Sequence, residues 1–379
     1  MRAAVPQLWH FAVEHLLLLP IGAAIALVWV NVDPEGYYRM AFALTFPVNN
    51  IGLAVFFALM TKEVVEATAP DGVLHPWRRA LLPAIVAVAA TAVSALIFVG
   101  AVNALDEPVL AIAWPVAFAT DLAVSYLVAR LIFGRQHPVI PFVLLLAIAS
   151  DALGFLAIAL FHPTEEHHLM QGAAIMAAAI AIALALRRAR VKSYWPYVLV
   201  SGALSWYALW RSGLHPALAL VPVMPFLPHA PRDPGFFVDA SPDAVDALSR
   251  FEISWRHPGQ IALFFFGLVN AGVPFRALEA GTWGLPIGVL VGRPLGVLVG
   301  SSLAVAAGLH LPHRLGWREL VVVGFIVAIG FSIALFFSSA LLPPGQLRSE
   351  IHMGALLTLA AAPLAFLSAR VLRCGRFSR

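Results

Sequence analysis

The chain has 379 residues, of which 61% are hydrophobic and only 12% are charged, and its formal net charge is +4. This composition excludes a single soluble core, because one core could not bury so much apolar surface. The small positive charge lies in loop arginines of the kind that set membrane topology, so we expect no nucleic-acid partner. The sequence therefore predicts an integral membrane protein.

Apolar runs recur along the whole chain at intervals that suit membrane-spanning helices. A bilayer core about 30 Å thick requires about 20 residues per helix, which leaves room for about twelve spans. We predict them at residues 9–30, 41–67, 80–103, 110–132, 139–161, 169–188, 195–211, 213–227, 257–275, 283–308, 318–341 and 349–372. The longest hydrophilic segment, residues 228–256, is predicted to be a cytoplasmic loop with a short helix capped by Ser241. The whole chain, residues 1–379, then forms one transmembrane domain.

The positions of the basic residues predict the orientation of the spans. Arginine and lysine are retained in short cytoplasmic loops. With the N-terminus inside, most arginines fall on the cytoplasmic side, including Arg78, Arg79, Arg373 and Arg376. We therefore expect both termini to be cytoplasmic. The single cysteine, Cys374, excludes an internal disulfide, and the first apolar run lacks the short core and cleavage site of a signal peptide.

Three ionisable residues lie midway along predicted spans: Asp121 in the fourth, Asp151 in the fifth and Arg293 in the tenth. A charge at this depth costs several kcal/mol unless it faces protein or water. The predicted topology places all three at a similar depth, where they could share one cavity. Two interpretations remain open, namely a buried ion pair that holds helices together and a substrate site.

Helix-breaking residues occur in two of the spans. In the fourth, Pro115 precedes the small and polar residues that lead to Asp121, and in the eleventh Gly330 and Ser332 lie near the centre. A helix interrupted in the membrane exposes backbone groups that must be covered by protein or line a water-filled cavity. Asp121 could offset the N-terminal half-helix ends and Arg293 the C-terminal ends. The alternative for Gly330 is close helix packing.

Seven segments, taken in order, resemble the NhaA-type sodium/proton antiporters. They are NNIGLAVFFALMTKEV, WPVAFATDLAVSYLVARLIFG, LLLAIASDALGFLAIALFH, WYALWRSGLHPALALVPVMPFLP, HPGQIALFFFGLVNAGVPF, LPIGVLVGRPLGVLVG and VVVGFIVAIGFSIALFF. This resemblance implies an all-α polytopic fold of about twelve transmembrane helices with inverted repeats, in which two broken helices cross at mid-membrane. It also implies a core formed by helices three to five and ten to twelve, approximately residues 80–161 and 283–372, with the other helices as scaffold.

The same resemblance assigns roles to individual residues. Asp151 matches the shared cation and proton site and would bind Na⁺, with Thr120, Ser150 and Asp121 as further ion- or proton-binding residues. Asp121 and Arg293 would compensate the charges of the half-helices. The broken-helix segments correspond to Ala119, Thr120, Gly330, Phe331 and Ser332. Glu63, Glu252, His257 and His215 match positions linked to the pH response, although an ordinary interfacial histidine is an equal alternative for the last two.

The sequence also departs from the family pattern. Ser150 replaces the first aspartate of an Asp-Asp pair, Asn50 replaces an aspartate in the second span, and Arg293 replaces a lysine. The segment NVDPEGYYRM between the first two spans is too short for the hairpin through which the family dimerises. A homodimer is thus possible, but this hairpin contact is expected to be absent.

The resemblance implies a secondary active transporter of a bacterial inner membrane that exchanges Na⁺ or Li⁺ for H⁺ by alternating access and serves sodium and pH homeostasis. We expect no cofactor and no enzymatic activity. Because arginine does not deprotonate and serine does not titrate, Arg293 and Ser150 predict one-for-one, electroneutral exchange carried by Asp151. The lipid bilayer is the remaining partner.

Alternative functions remain open at this point. A permanent charge at Arg293 could favour an anionic organic substrate on the same scaffold, or the protein could be a transport-inactive regulator. Asp121 and Asp151 could form an intramembrane aspartyl protease pair, but the sequence lacks the Gly-x-Gly-Asp context of such enzymes. The outer-loop segment EEHHL, residues 165–169, is only a weak transition-metal signal, and we expect no such site.

Overall fold

The computed structural model describes residues 18–67, 78–134, 137–161, 168–229, 246–275, 278–312 and 314–378, and all regular elements within these ranges are helical. The α-helices are α1 Leu18–Val32, α2 Pro34–Phe46, α3 Leu53–Ala67, α4 Arg78–Ala104, α5 Leu122–Phe133, α6 Val139–Phe161, α7 Leu169–Arg188, α8 Ala203–Arg211, α9 Ala247–Asn270, α10 Gly284–Ala306, α11 Trp317–Ile326, α12 Phe331–Leu341, α13 Gln346–Leu357 and α14 Ala361–Val371. Six helical stretches among the described residues are long and apolar enough to cross a membrane, or seven if the bent pair α11–α12 is one span. The prediction of an all-α polytopic membrane protein is confirmed.

Two predicted segments differ from the structure. Residues 213–227, expected to be the eighth span, form turns and two short 3₁₀ helices, because Pro216 and Pro225 cannot donate backbone hydrogen bonds. In the segment 228–256, residues 230–245 with Ser241 lie outside the described residues. From Ala247 onward the chain belongs to α9, whose N-cap Asp246 accepts a hydrogen bond from the backbone N–H of Ser249.

The chain divides into two compact units. The first, Met1–Trp77 with Pro163–Gly272, contains α1 to α3 and α7 to α9. The second, Arg78–His162 with Val273–Arg379, contains α4 to α6 and α10 to α14. The stretches that the resemblance assigns to the transport core fall in the second unit.

In the first unit a buried tyrosine and an aromatic cluster join elements that are distant in sequence. The Tyr37 hydroxyl lies 3.0 Å from the carbonyl oxygen of Leu268 and 2.9 Å from that of Val269, at the end of α9. Tyr194 packs edge-on against Phe251 with ring centroids 5.7 Å apart. These contacts fix the two ends of α9, the helix that carries Glu252.

In the second unit α10 packs closely against α4 through glycines at every fourth position. These glycines are Gly284, Gly288, Gly292, Gly296 and Gly300. A Cβ atom at Gly292 would lie 2.6 Å from the Cα atom of Ser94, so no larger residue fits there. Small residues at this spacing allow helix backbones to approach closely in a membrane. This packing places Arg293, the next residue of α10, in the interior of the unit.

Two broken helices meet inside the second unit. A 3₁₀ helix, Pro108–Phe118, is followed by extended backbone at residues 119–121 and then by α5. The second break separates α11 from α12, whose axes are bent by 52°. The backbone N–H of Asp121 donates to the carbonyl of Ile329 at 2.5 Å, and the Ser125 hydroxyl donates to that of Ile326 at 2.9 Å. The two breaks therefore lie in direct contact.

Candidate functional site

Asp121 lies at the junction of two half-helices. Its Oδ1 accepts a hydrogen bond from the backbone N–H of Val124 at 3.2 Å and so caps α5. Its Oδ2 accepts from the hydroxyl of Ser332 at 2.6 Å and from the backbone N–H of Ser332 at 3.3 Å, in the first turn of α12. Helix N-termini carry partial positive charge. One buried carboxylate thus faces the positive ends of both half-helices.

Asp151 approaches the same region from α6. Its Oδ1 accepts a hydrogen bond from the backbone N–H of Thr120 at 2.9 Å. The Thr120 hydroxyl donates to the carbonyl oxygen of Val327 at 3.2 Å, in the other break. Asp151 is partly exposed, whereas the adjacent Ser150 is fully buried. The carboxylate is therefore anchored to the break through one oxygen.

Arg293 is fully buried and points at the end of the 3₁₀ helix. Its Nη1 donates to the Ser150 hydroxyl at 3.0 Å. Its Nη2 donates to three successive carbonyl oxygens, those of Ala117 and Ala119 at 3.2 Å and that of Phe118. Carbonyls at a helix C-terminus lack intrahelical partners and carry partial negative charge. The break thus supplies the acceptors for this guanidinium.

Among the described residues, every hydrogen bond of Arg293 goes to a neutral acceptor and none goes to a carboxylate. The contacts of the described residues thus include no direct hydrogen bond between Arg293 and Asp121 or Asp151, although the charges of Arg293 and Asp151 still interact through space. Ser150 and Asp151, although adjacent in α6, have different partners: Ser150 binds the guanidinium and Asp151 binds the backbone of the break. This separation leaves the Asp151 carboxylate with no cationic side chain hydrogen-bonded to it among the described residues.

Of the pH-response candidates, Glu252 belongs to a buried cluster in the first unit. Lys62 Nζ lies 2.8 Å from Glu252 Oε2 and 2.7 Å from Glu66 Oε2. Lys62 and Glu66 were not predicted from the sequence to belong to a site. Their i, i+4 spacing on one face of α3 was the available signal. Glu63, another of the pH-response candidates, is not among the residues whose side chains are described.

The two histidine candidates have different environments. His257 is exposed on α9. His215 is partly buried, and its Nδ1 accepts a hydrogen bond from the backbone N–H of Ala217 at 3.2 Å. Asn50, which replaces a family aspartate, donates its side-chain amide to the carbonyl of Phe46 at 3.0 Å.

The residues considered for a transition metal are mostly beyond the described ranges. Glu165, Glu166 and His167 fall in the gap 162–167, and His168 is exposed. In the part of the chain that is described, no group of three or more His, Cys, Asp or Glu side chains is placed to hold a metal ion. The oxygen atoms around Asp151 are the donor type that suits a hard cation such as Na⁺.

A polytopic helical protein with two broken helices in contact and a carboxylate at the break belongs to the class of secondary transporters. A family model described as Na+/H+ antiporter 1 matches residues 12–369. The proteins named "Na(+)/H(+) antiporter NhaA" from Geobacter metallireducens and Desulfitobacterium hafniense are each 38% identical to this chain; the alignments cover 99% and 96% of it and 100% and 95% of the relatives. The chain belongs to the Na+/H+ antiporter 1 family.

A solved structure supports the fold. The sodium proton antiporter MjNhaP1 from Methanocaldococcus jannaschii superposes with a TM-score of 0.56 over 94% of this chain and 90% of that one, at 15% sequence identity. The family consists of transporters and not of enzymes. The protease interpretation of Asp121 and Asp151 is therefore wrong, and the protein is an integral membrane transporter.

Proposed function

We propose that this protein exchanges Na⁺ or Li⁺ for protons by alternating access across a bacterial inner membrane, with both termini in the cytoplasm. Its relatives named as Na(+)/H(+) antiporters support this proposal, since they match the chain along nearly its full length. The observation that carries it is the position of Asp151, which is anchored to the Thr120 backbone and unbound by Arg293. Such a carboxylate is available for a transported ion.

Exchange follows from competition for one carboxylate. When Asp151 holds a proton, its negative charge is gone and a cation has no charged ligand. When it is ionised, it supplies one charged oxygen to a partly desolvated cation. The Thr120 and Ser150 hydroxyl oxygens supply neutral ligands. Cation and proton thus exclude each other, which couples their opposite movements.

Asp121 is assigned a different role because its surroundings differ. Both of its oxygens accept hydrogen bonds from the first turns of α5 and α12. Charge-assisted bonds at helix N-termini stabilise the ionised form. We assign Asp121 to charge compensation at the breaks, with the transported charge carried by Asp151.

The stoichiometry follows from Arg293 and Ser150. A guanidinium does not deprotonate in proteins and a serine hydroxyl does not titrate. Arg293 therefore holds a constant charge through the cycle, and Asp151 is the group at the site that changes protonation. The exchange should move one proton per cation and no net charge.

Asp151→Asn tests the position of the site. In reconstituted vesicles the variant should lose Na⁺-driven proton movement, because an amide cannot exchange a proton for a cation. Asp106→Asn is the matched control, since Asp106 is exposed outside the breaks, and it should transport as the unmodified protein does. Exchange retained by the Asp151 variant would place the site elsewhere.

A membrane potential tests the stoichiometry. With a potassium gradient and valinomycin imposed on vesicles that lack a pH gradient, one-for-one exchange predicts no potential-driven ²²Na⁺ uptake. A reversal of Na⁺ flux with the sign of the potential would refute electroneutrality. Uptake of an organic anion has no support in the geometry, because the buried Arg293 already donates to neutral acceptors.

A further inference from the structure

A separate pocket of about 610 Å³ opens in the second unit, and it uses none of the residues assigned to the ion site. The side chains that define it are His137, Arg314, Glu319, Arg373 and Arg376. These residues come from the loop between α5 and α6, the beginning of α11 and the segment after α14. The volume lies within the range of about 300–1,000 Å³ that is usual for small-ligand sites.

The pocket has an excess of positive charge. Among the described residues that line it, three arginines face one carboxylate, that of Glu319. Glu319 Oε2 also accepts a hydrogen bond from the backbone N–H of Gly316 at 3.0 Å, so it is partly engaged in capping α11. Guanidinium groups bind phosphate with paired, charge-assisted hydrogen bonds. The pocket therefore suits a phosphate-bearing group.

Two of the elements that contribute to the pocket region carry exposed apolar residues. Trp317, which follows the lining residue Gly316 at the start of α11, is 49% exposed. Leu367 and Val371, one turn apart on α14, are 57% and 71% exposed. The proposed function places both termini in the cytoplasm, and this step rests on that orientation. In it, this end of the unit lies at the cytoplasmic membrane surface. Tryptophan is frequent at that depth, and basic pockets there bind acidic headgroups.

We propose that this pocket binds the phosphate of an anionic phospholipid from the inner leaflet. Free phosphate has the same chemistry at the arginines, but a phospholipid headgroup is held at the membrane surface where the pocket opens, and acidic headgroups bind basic pockets at that surface. A phospholipid can place its headgroup in the pocket while its acyl chains stay in the bilayer. The lipid is therefore the favoured source of the phosphate.

The bound headgroup would join three segments that are far apart in sequence. Phe133 ends α5, Gly316 precedes α11, and Gly375 lies in the turn after α14; all three line the pocket. Gly375 has φ +58°, and a Cβ atom there would lie 2.5 Å from the carbonyl oxygen of Ile132, so this turn is closely docked on α5. The ligand thus links the outer ends of the two half-helices whose inner ends meet at the breaks. Binding to the folded state alone should raise its melting temperature.

The experiment measures the melting temperature of delipidated, detergent-solubilised protein against increasing phosphatidylglycerol, phosphatidylcholine or inorganic phosphate. Phosphatidylglycerol should raise it, while phosphatidylcholine and phosphate should not. The variant Arg373→Gln with Arg376→Gln should need about tenfold more phosphatidylglycerol for the same shift, because it loses two charge-assisted contacts. The matched control is Arg318→Gln with Arg370→Gln, two arginines exposed in the same part of the described chain that do not line the pocket. It should stay within about twofold of the unmodified protein.

Equal effects of the two lipids, or equal losses in the two double variants, would overturn the proposal. A full shift produced by inorganic phosphate would overturn the lipid as the source. The single variant Arg376→Gln, with an intermediate loss expected, keeps the test open if the double variant folds poorly. Because binding is measured without transport, failure here is distinguishable from failure of the proposed exchange.

Discussion

Each unit of the protein buries a basic side chain, and the two are compensated in different ways. In the first unit Lys62, which is 1% exposed, lies within 2.7 and 2.8 Å of the carboxylates of Glu66 and Glu252. In the second unit Arg293 is fully buried and donates to the Ser150 hydroxyl and to carbonyls at a helix end. The Lys62 ammonium is thus paired with two carboxylates, whereas the Arg293 guanidinium donates only to neutral dipolar groups among the described residues.

The difference follows from the shapes of the two groups and has a functional consequence. A lysine ammonium is a compact charge with three donors, which two carboxylates can approach at once, whereas a planar guanidinium has five donors and can reach a hydroxyl and several carbonyls. Carboxylates that are paired with a buried cation are not available to bind another ion. A cation held by dipoles leaves nearby acids available, which is the situation of Asp151.

The largest expected effect is that of Lys62→Met. Removing the lysine takes away the ammonium that lies against two buried carboxylates, and we expect a loss of about 3–5 kcal/mol in unfolding free energy. The unfolding transition in detergent measures this loss. The triple variant Lys62→Met, Glu66→Gln, Glu252→Gln should recover most of it, since neutral groups of similar size remove the repulsion. No recovery would show that the cluster stabilises through packing and not through charge.

Arg293→Met should destabilise the protein less, by about 3 kcal/mol, because the acceptors that lose a hydrogen bond are neutral. The same unfolding transition, compared with that of Lys62→Met, measures the difference. Arg293→Lys is the informative companion, since it keeps the charge but cannot reach all the acceptors at once. A loss for Arg293→Met as large as that for Lys62→Met would contradict the contrast between acids and dipoles.

Ser150→Ala removes one of the acceptors of Arg293 and should cost about 1 kcal/mol, because the guanidinium retains its carbonyl partners. Ser301→Ala, at a buried serine of α10 outside this network, serves as the control for removal of a buried hydroxyl. If Ser150→Ala costs no more than the control, the hydroxyl does not help to hold the guanidinium.

The smallest effect concerns His137, which lies outside the spans. Burial, followed by the charge of Arg314, lowers the pKa of His137 below 6.5. The neutral ring accepts a hydrogen bond at Nδ1 from the backbone N–H of Val139 at 3.3 Å. The unfolded chain then binds the proton first, so stability should fall as the pH drops through about 6.5 towards the folded-state pKa. His137→Asn should reduce this slope when unfolding is measured between about pH 5 and pH 7.5.

Much of the fold of this protein could be predicted from its sequence, because a membrane permits few backbone structures. Apolar runs in a bilayer must form helices, since backbone groups there have no water to bind. The sequence also identifies Asp121, Asp151 and Arg293 as candidate site residues, because a charge inside a span is energetically costly unless it faces protein or water. The prediction of the eighth span was wrong. Hydropathy detects a long apolar segment but does not account for the backbone hydrogen bonds that Pro216 and Pro225 cannot donate.

The partners of these charges were decided only by the tertiary structure. The sequence did not indicate whether Arg293 would bind an acid, because its donors and acceptors are more than 140 residues apart along the chain. Only the contact of the breaks, with the glycine packing of α10 on α4, brings the guanidinium to the carbonyls of the 3₁₀ helix. The sequence by itself determined which groups are costly to bury. The fold determined which of them neutralise one another, because compensation depends on distances of a few ångströms between helices.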